Sequence, residues 1–509
     1  MSVAITRRSL LRTIGLVAAG GSALALASCG AAGVTAATSA VATDAAPVAT
    51  TASVHSAAVS SAAASPTTTA VTTATTAATS TAVSSTTSAA ASTTASRAAT
   101  AVASSPAAPA ASGNSVAFWH IWNTGPSRTW LSQALAALKQ QQPQLQVEES
   151  AKDFWTFGEK VTAAVAAGTS PSVTMADAVT APLRGVSGEN MSLDTYVARD
   201  AVKLADLVDY QVKMVSYQGK VWGLPFRPDT RVLYFNRSLL QSAGLDPTKP
   251  PATWDQLWTA AAPLMKKDDS GAYTQVGFYP SLGNLWFWTM AFTNGATFVD
   301  ATGMPTLNTP PSVETLEWYV KWANQYGDKA MGAFNKALST GPGKDPFMLE
   351  KLAFEVNTND YGATLKQAAP KVQWGTAPVP YKLHEASWGA GFDLEMPKGG
   401  KNADGSWELI KWLDLNPEMN KQSITLTNDL SAVKATNNDP AFTADPVWKT
   451  VVASSLVTQA IPQVPAAHDW ASIFYKHVGN AVAGTEAPQD ALAKAQEQVI
   501  GEYQTNTKK

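Results

Sequence analysis

One cysteine, Cys29, is all that 509 residues carry, so no disulfide closes within a single copy and the fold rests on its apolar core. Histidine is scarce, at 5, and the charges nearly cancel, with 37 Lys and Arg against 39 Asp and Glu for a net charge of −2. That balance offers no basic field to a nucleic acid. The familiar motifs of catalysis are missing too. There is no Gly-x-Ser-x-Gly, no His-Glu-x-x-His and no Asp-x-Asp calcium pattern. Gly389-Ala390-Gly391 lacks the third glycine and the βαβ setting of a dinucleotide fingerprint, and Gly341-Pro342-Gly343-Lys344 is followed by Asp345 where a phosphate loop needs Ser or Thr. No cofactor, metal ligand or catalytic residue is expected. A cell-surface glycoside hydrolase stays open, because a pair of neighbouring carboxylates leaves no sequence signature, and so does a carbohydrate-binding adhesin or sensory receptor.

What is present begins with a targeting segment. Thr6-Arg7-Arg8-Ser9-Leu10-Leu11 supplies a twin-arginine n-region, and the small-residue apolar run 14–27 is too short and Gly/Ala-rich for a permanent membrane helix. The run ends in Leu26-Ala27-Ser28-Cys29, which resembles the lipobox of bacterial lipoproteins. Residues 1–29 are therefore expected to be a twin-arginine lipoprotein signal peptide, with the lipid on Cys29 anchoring the chain to the outer face of the cell membrane. Residues 30–114 are Ala, Ser and Thr with Pro47, Pro66, Pro106 and Pro109 and only Asp44 and Arg97 charged. Such a stretch cannot offset the entropy of ordering and is expected to be a disordered linker of about 85 residues, with an r.m.s. span of about 50 Å.

All 17 tryptophans lie beyond position 118. A remainder of about 395 residues is expected to divide into two lobes, because single cores stop growing near 250–300 residues. Short apolar runs at 116–119, 145–148 and 173–176 alternate with helical patterns, one of which puts Trp130, Leu131, Ala134, Leu135 and Leu138 on a single face. This is the rhythm of an α/β sheet, where ligands bind beyond the carboxyl ends of strands. Those ends bring Trp119, His120 and Trp122, then Phe154 and Trp155, then Asp177.

The most specific stretch is 217–264. Tyr217-Gln218-Gly219-Lys220-Val221-Trp222-Gly223-Leu224-Pro225-Phe226 reads as a hairpin followed by an extended run, and Arg231-Val232-Leu233-Tyr234-Phe235-Asn236 as a strand. A short helix stops at Gly244, and Thr253-Trp254-Asp255-Gln256 is a capping box. In this order the chain resembles the extracellular solute-binding proteins of carbohydrate ABC importers, the family that includes the maltose- and glycerol-phosphate-binding proteins. Similar matches are the segment 347–354, Trp374-Gly375-Thr376-Ala377-Pro378-Val379-Pro380, the helix 406–415 and the closing helix 488–503. One departure stands out: where the family often has Gly-x-Trp, this chain reads Asn357-Thr358-Asn359-Asp360-Tyr361-Gly362.

The resemblance implies a periplasmic-binding-protein-like α/β fold of two discontinuous lobes, residues 115–231 with 362–427 and residues 232–361 with 428–509. Hinge strands near 231–235, 356–362 and 426–433 would join them. It implies a monomer that captures a small solute, most naturally a mono- or oligosaccharide, and delivers it to an ABC importer permease. The ligand residues it nominates are Trp119, His120, Asp177, Asp229, Asn284, Trp286, Trp288, Asp360, Tyr361 and Trp470. Trp286 and Trp288 stand at alternate positions, so one of the two is expected to face the cleft. Trp318 and Trp322, spaced i and i+4, read as a packing stripe.

Overall fold

Alternating apolar runs and amphipathic helices become two main sheets and three two-stranded ones in the computed structural model, which describes residues 114–340 and 344–508. Arg7, Arg8, Cys29 and the linker lie outside these residues. The strands that position the site are β1 (Ser115–His120), β2 (Gln146–Ala151), β3 (Val173–Asp177), β4 (Leu224–Pro228), β5 (Arg231–Asn236), β6 (Phe354–Thr358), β7 (Trp374–Ala377), β8 (Ser387–Trp388), β9 (Gly391–Glu395) and β10 (Thr458–Gln459).

The first sheet has the order β2-β1-β3-β9-β4. β1 lies parallel to β2 and β3, and β9 runs antiparallel to both β3 and β4. Edge strand β2 is polar and partly exposed, as an unpaired edge should be, whereas Val116, Phe118, Val173 and Met175 of the inner strands are fully buried. Each such side chain contributes about 1.5–3 kcal/mol. Helix α1 (Gly125–Gln141) buries Trp130, Leu131, Ala134 and Leu138, and Trp130 Nε1 donates to Met419 O at 2.9 Å on a helix nearly three hundred residues away. Helices α2 (Phe157–Ala166), α3 (Ala181–Val186) and α4 (Asp209–Val215) also belong to this half, as do the helices Ala403–Asp414 and Pro417–Thr427.

The second sheet is β6-β5-β7, antiparallel throughout. Every residue of β5 is buried, which suits a central strand built of Val, Leu, Tyr and Phe. Its local punctuation follows the residues. Asn236 caps the next helix by accepting from Leu239 N at 2.9 Å, and Thr253 caps the helix Trp254–Ala261 by accepting from Gln256 N at 3.2 Å. Trp318 and Trp322 sit inside the core around this sheet. Helices α5 (Pro446–Leu456), α6 (Trp470–Val482) and α7 (Pro488–Thr507) close the chain. Among the described residues no helix is long and apolar enough to cross a membrane.

The chain passes between the sheets through Asp229 and Thr230, which link β4 to β5, and through Gly389 and Ala390, which link β8 to β9. The second passage falls at 389–390 and not at 356–362, so residues 362–388 lie with the smaller sheet while 391–427 lie with the larger one, as expected for them. β7 hydrogen-bonds to β5, and Tyr361, Leu365, Val372 and Ala377 pack in the core of the smaller sheet, so the chain returns to the larger sheet only after Trp388. The stretch after the helix Pro417–Thr427 touches both halves: Leu430 joins the core of the smaller sheet while Val433 bridges to Leu207. A separate apolar cluster also straddles the halves, joining Ala178, Ala181, Tyr210 and Met214 to Trp288, Trp388, Ala467 and Phe474.

Candidate ligand-binding cleft

Because the strand ends of the larger sheet meet the start of β5, the residues around the first passage stand between the two halves. Arg231 is the centre of this arrangement and is almost fully buried. Its guanidinium donates to Asp229 Oδ1 and, at 3.0 Å, to Asn284 Oδ1, and it lies 3.9 Å over the Trp388 ring. Such a stacked, forked contact fixes the plane of the group. Asn284 Oδ1 also accepts from Trp286 Nε1 at 2.8 Å, and the Trp286 ring packs on Trp388 at 5.3 Å and on Tyr475 at 5.6 Å. Asp229 Oδ1 takes a further hydrogen bond from Ala390 N at 2.7 Å, and Asp229 O accepts from Tyr210 OH.

The second passage can lie this close because it is Gly-Ala-Gly. A Cβ on Gly389 would come within 2.1 Å of Asp229 O, and one on Gly391, whose φ is +91°, within 2.2 Å of Arg227 O. The motif that failed as a nucleotide fingerprint is thus a close-approach device at the hinge.

Carboxylates gather around the same junction. Asp177 closes β3, caps the following turn through Val179 N, and is half-buried. Burial pushes its carboxyl up to about 6, the charge of Asp229 adding to the effect and Arg184 and Arg231 opposing it. Asp429 is pushed up to about 7 by burial, with Asp360 and Asp229 reinforcing it and Arg227 opposing. Trp119 is half-buried at the end of β1 with Lys152 Nζ 4.4 Å over its ring, and Trp155, edge-on to Phe154 at 5.1 Å, is 43 % exposed.

Of the nominated residues, Asp229, Asn284 and Trp286 are brought together, and Asp177 lies near enough to feel the charges of Asp229 and Arg231. Trp119 and Asp360 are half-buried. Four other nominated residues are buried among interior partners. Trp288 is 1 % exposed and stacks on Phe474 at 4.7 Å, and Trp470 packs on Trp288 at 5.2 Å, so both are core. Tyr361 is buried edge-on to Tyr234 and donates to Asp345 Oδ2 at 2.9 Å. His120 is buried against Glu149 at 3.2 Å, and burial brings its pKa down to about 4, so it is a neutral interior ring. Arg231, Trp388 and Tyr210 were not nominated. The glycines between Trp388 and Phe392 were the available signal, since only a close backbone approach requires them. A shallow groove of about 430 Å³ along the helix Pro310–Tyr326, lined by Trp258, Lys321 and Pro488, is a separate feature of the surface and contains none of the hinge residues.

Two α/β halves joined by crossing segments around a buried junction of polar and aromatic side chains are the architecture of a solute-binding protein. The chain belongs to the bacterial extracellular solute-binding protein family, whose model matches residues 122–419. Among solved structures it is similar to CpMnBP1 with mannotriose bound, at TM-score 0.68 and 25% identity, covering 76% of this chain and 99% of that one. Among curated relatives, a probable amino-acid ABC transporter periplasmic-binding protein of Sinorhizobium fredii is 24% identical over 58% of this chain and 68% of its own length. The maltotriose-binding protein of Pyrococcus abyssi is 22% identical over 50% of this chain and 53% of its own length. These relatives and neighbours are binding proteins, not enzymes.

Proposed function

We propose that this chain captures a mono- or oligosaccharide between its two halves and delivers it to the permease of an ABC importer. The observation that carries the reading is the junction itself, where buried Arg231, Asn284 and Trp388 fix the orientation of the partly exposed Asp229 carboxylate and Trp286 ring. A sugar presents C–H-rich faces to aromatic rings and hydroxyls to fixed donors and acceptors, and this set supplies both. Asp177, Trp119 and Asp360 are proposed to extend it. The mannotriose of a structural neighbour and the maltotriose of a curated relative support a sugar over the amino acid named for another relative.

Export through Arg7 and Arg8, lipid attachment at Cys29 and a tether over residues 30–114 complete the proposal. They would hold the binding module outside the membrane, within reach of its permease. Calorimetric titration with mannotriose, mannobiose, maltotriose and a panel of amino acids tests the ligand class. Saturable binding of a saccharide, recovered uncleaved, is the expected result; binding of amino acids alone overturns it, and a cleaved sugar would point to a hydrolase.

A further inference from the structure

The larger sheet ends in a single lip. Strands β2, β1 and β3 are parallel by direct pairing, and β4 runs the same way because it and β3 each lie antiparallel to β9. Their carboxyl ends therefore share one edge in the order β2-β1-β3-β9-β4, with the amino end of β9 completing it. Register sets which residues stand level there. Phe392 pairs with Asp177, and Gly391 with Pro228, the residue before Asp229. Trp119 pairs with both Ser150 and Thr174, and Lys152 N donates to His120 O at 2.7 Å, so the pairing persists past the strand ends. Continued along the chain, the same register brings Trp122 and Asp153 level with Asp177.

Two tryptophans on this lip take no part in the hinge network. Trp122 is half-buried and held by three rings: edge-on to Trp130 at 5.9 Å and to Phe392 at 6.4 Å, and tilted on Phe226 at 5.9 Å. That packing fixes the ring while leaving part of it open to solvent. Trp155 stands in the turn between β2 and α2, and among the described residues it is the one aromatic of the exposed large apolar side chains. None of the apolar clusters that hold the fold includes it. Trp119 lies three residues back from the level of Asp177, where Lys152 covers its ring.

Distance along the lip decides what can use both ends. Neighbouring strands stand about 4.7–4.9 Å apart, so the four spacings from β2 to β4 make roughly 19 Å. A single pyranose ring seated against Asp229 and Trp286 is far shorter than that and leaves Trp155 out of reach. A linear chain of sugar units laid along the lip meets the junction at one end, Asp177 and Trp122 between, and Trp155 at the other. We infer that the binding site continues from the junction along this lip, that its ligand is a linear oligosaccharide of three or more units, and that Trp155 is the outer stacking platform that sets this length. The inference rests on the saccharide reading and adds the size of the ligand and its far contact.

Calorimetric titration of the full chain with mannose, mannobiose, mannotriose and mannotetraose, and with the maltose series of the same lengths, tests it as a dependence on chain length. Affinity is expected to rise about three- to tenfold from di- to trisaccharide, the increment of one further stacking contact. Trp155→Ala should flatten the series beyond the disaccharide and Trp155→Phe should restore most of the rise, whereas Trp286→Ala should weaken every member. Leu383→Ala, which trims another exposed apolar side chain on the smaller half, should leave the series as it is. Melting curves establish that each variant is folded, and the wild-type series decides the matter if one is not. A monosaccharide that binds as tightly as the trisaccharide, or a Trp155→Ala effect that is absent or equal at every length, overturns the inference and leaves the saccharide reading standing. Binding of none of these sugars removes that reading and the inference with it.

Discussion

Asn359 and Asn428 exchange hydrogen bonds: Asn359 Nδ2 donates to Asn428 O at 3.0 Å and Asn428 Nδ2 donates to Asn359 O at 2.8 Å. Asn359 Oδ1 accepts in addition from Thr230 N at 2.9 Å, so one fully buried side chain ties the passage between β4 and β5 to the stretch that follows the helix Pro417–Thr427. Asn359→Ala leaves the Thr230 N–H without its acceptor and Asn428 O without its donor. A loss of about 1–3 kcal/mol is expected for each buried group left unpaired. Urea unfolding measures it, and a change under 0.5 kcal/mol (roughly the scatter of neutral surface substitutions) defeats the assignment of Asn359 as a fastener.

Trp286 and Trp470 should behave as opposites. Trp286→Ala removes a ring from the proposed cleft and should weaken saccharide binding by about ten- to thirtyfold, ~1–2 kcal/mol, with little effect on the melt. Trp470 lies in the core against Trp288, so Trp470→Ala should cost ~3–5 kcal/mol of stability while a folded remainder keeps its affinity. Calorimetry paired with thermal melts reads both, and equal affinity losses in the two variants would count against placing Trp286 at the ligand and Trp470 in the core.

Asn284 holds both the Arg231 guanidinium and the Trp286 indole N–H through one oxygen. Asn284→Ala should therefore lower saccharide affinity by more than tenfold, about 1.4 kcal/mol or greater, because two donors lose their shared acceptor inside the cleft. Asn284→Asp, which keeps the acceptor, should bind more tightly than the alanine variant.

Two of the groups that set acid stability should pull in opposite directions. The His120 pKa falls to about 4 by burial, so its folded value lies below its unfolded one; the stability of the neutral ring is complete above about pH 6.5 and is lost as pH falls through 4. Asp177 is displaced the other way, up to about 6, so its contribution is complete below about pH 4 and is lost as pH rises through 6. Between pH 4 and 6 the two oppose each other. Asp177→Asn should make the melting temperature climb more steeply with pH across that window, and His120→Gln should flatten or invert it. Unchanged slopes in both variants would remove these assignments.

Export and anchoring are tested by fractionation. Cys29→Ala should shift the protein from the membrane to the released pool, since acyl chains contribute ~0.8 kcal/mol per buried methylene. Replacing Arg7 and Arg8 together with lysine should hold the chain inside the cell.

Legibility in the sequence followed the range of the interactions. β5 was read residue for residue, and the caps at Asn236 and Thr253 follow from local side-chain chemistry. Where residues 362–377 belong depended on β7 choosing β5 as its neighbour, a long-range pairing that no local pattern encodes. The direction of an aromatic ring was equally hidden. Trp286 and Trp288 stand at the start of one helix, where two positions turn the side chain by about 200°, and only the packing of Phe474 and Trp470 decides which of them is interior. His120 and Tyr361 met interior partners supplied by distant segments, so their residue types carried no warning.

The apolar cluster that straddles the two halves bears on how long a captured molecule stays. Parting the halves would expose Ala178, Ala181, Tyr210 and Met214 on one side and Trp388 and Ala467 on the other, and uncovering apolar surface is opposed in water. Opening of the halves would then cost free energy even before any ligand contact is broken, and under the proposed function the residence time would be set by the protein's own seam as well as by the ligand. If the chain delivers its ligand as proposed, unloading would be fastest where another surface covers that seam as it opens, and release would then depend on docking as well as on affinity.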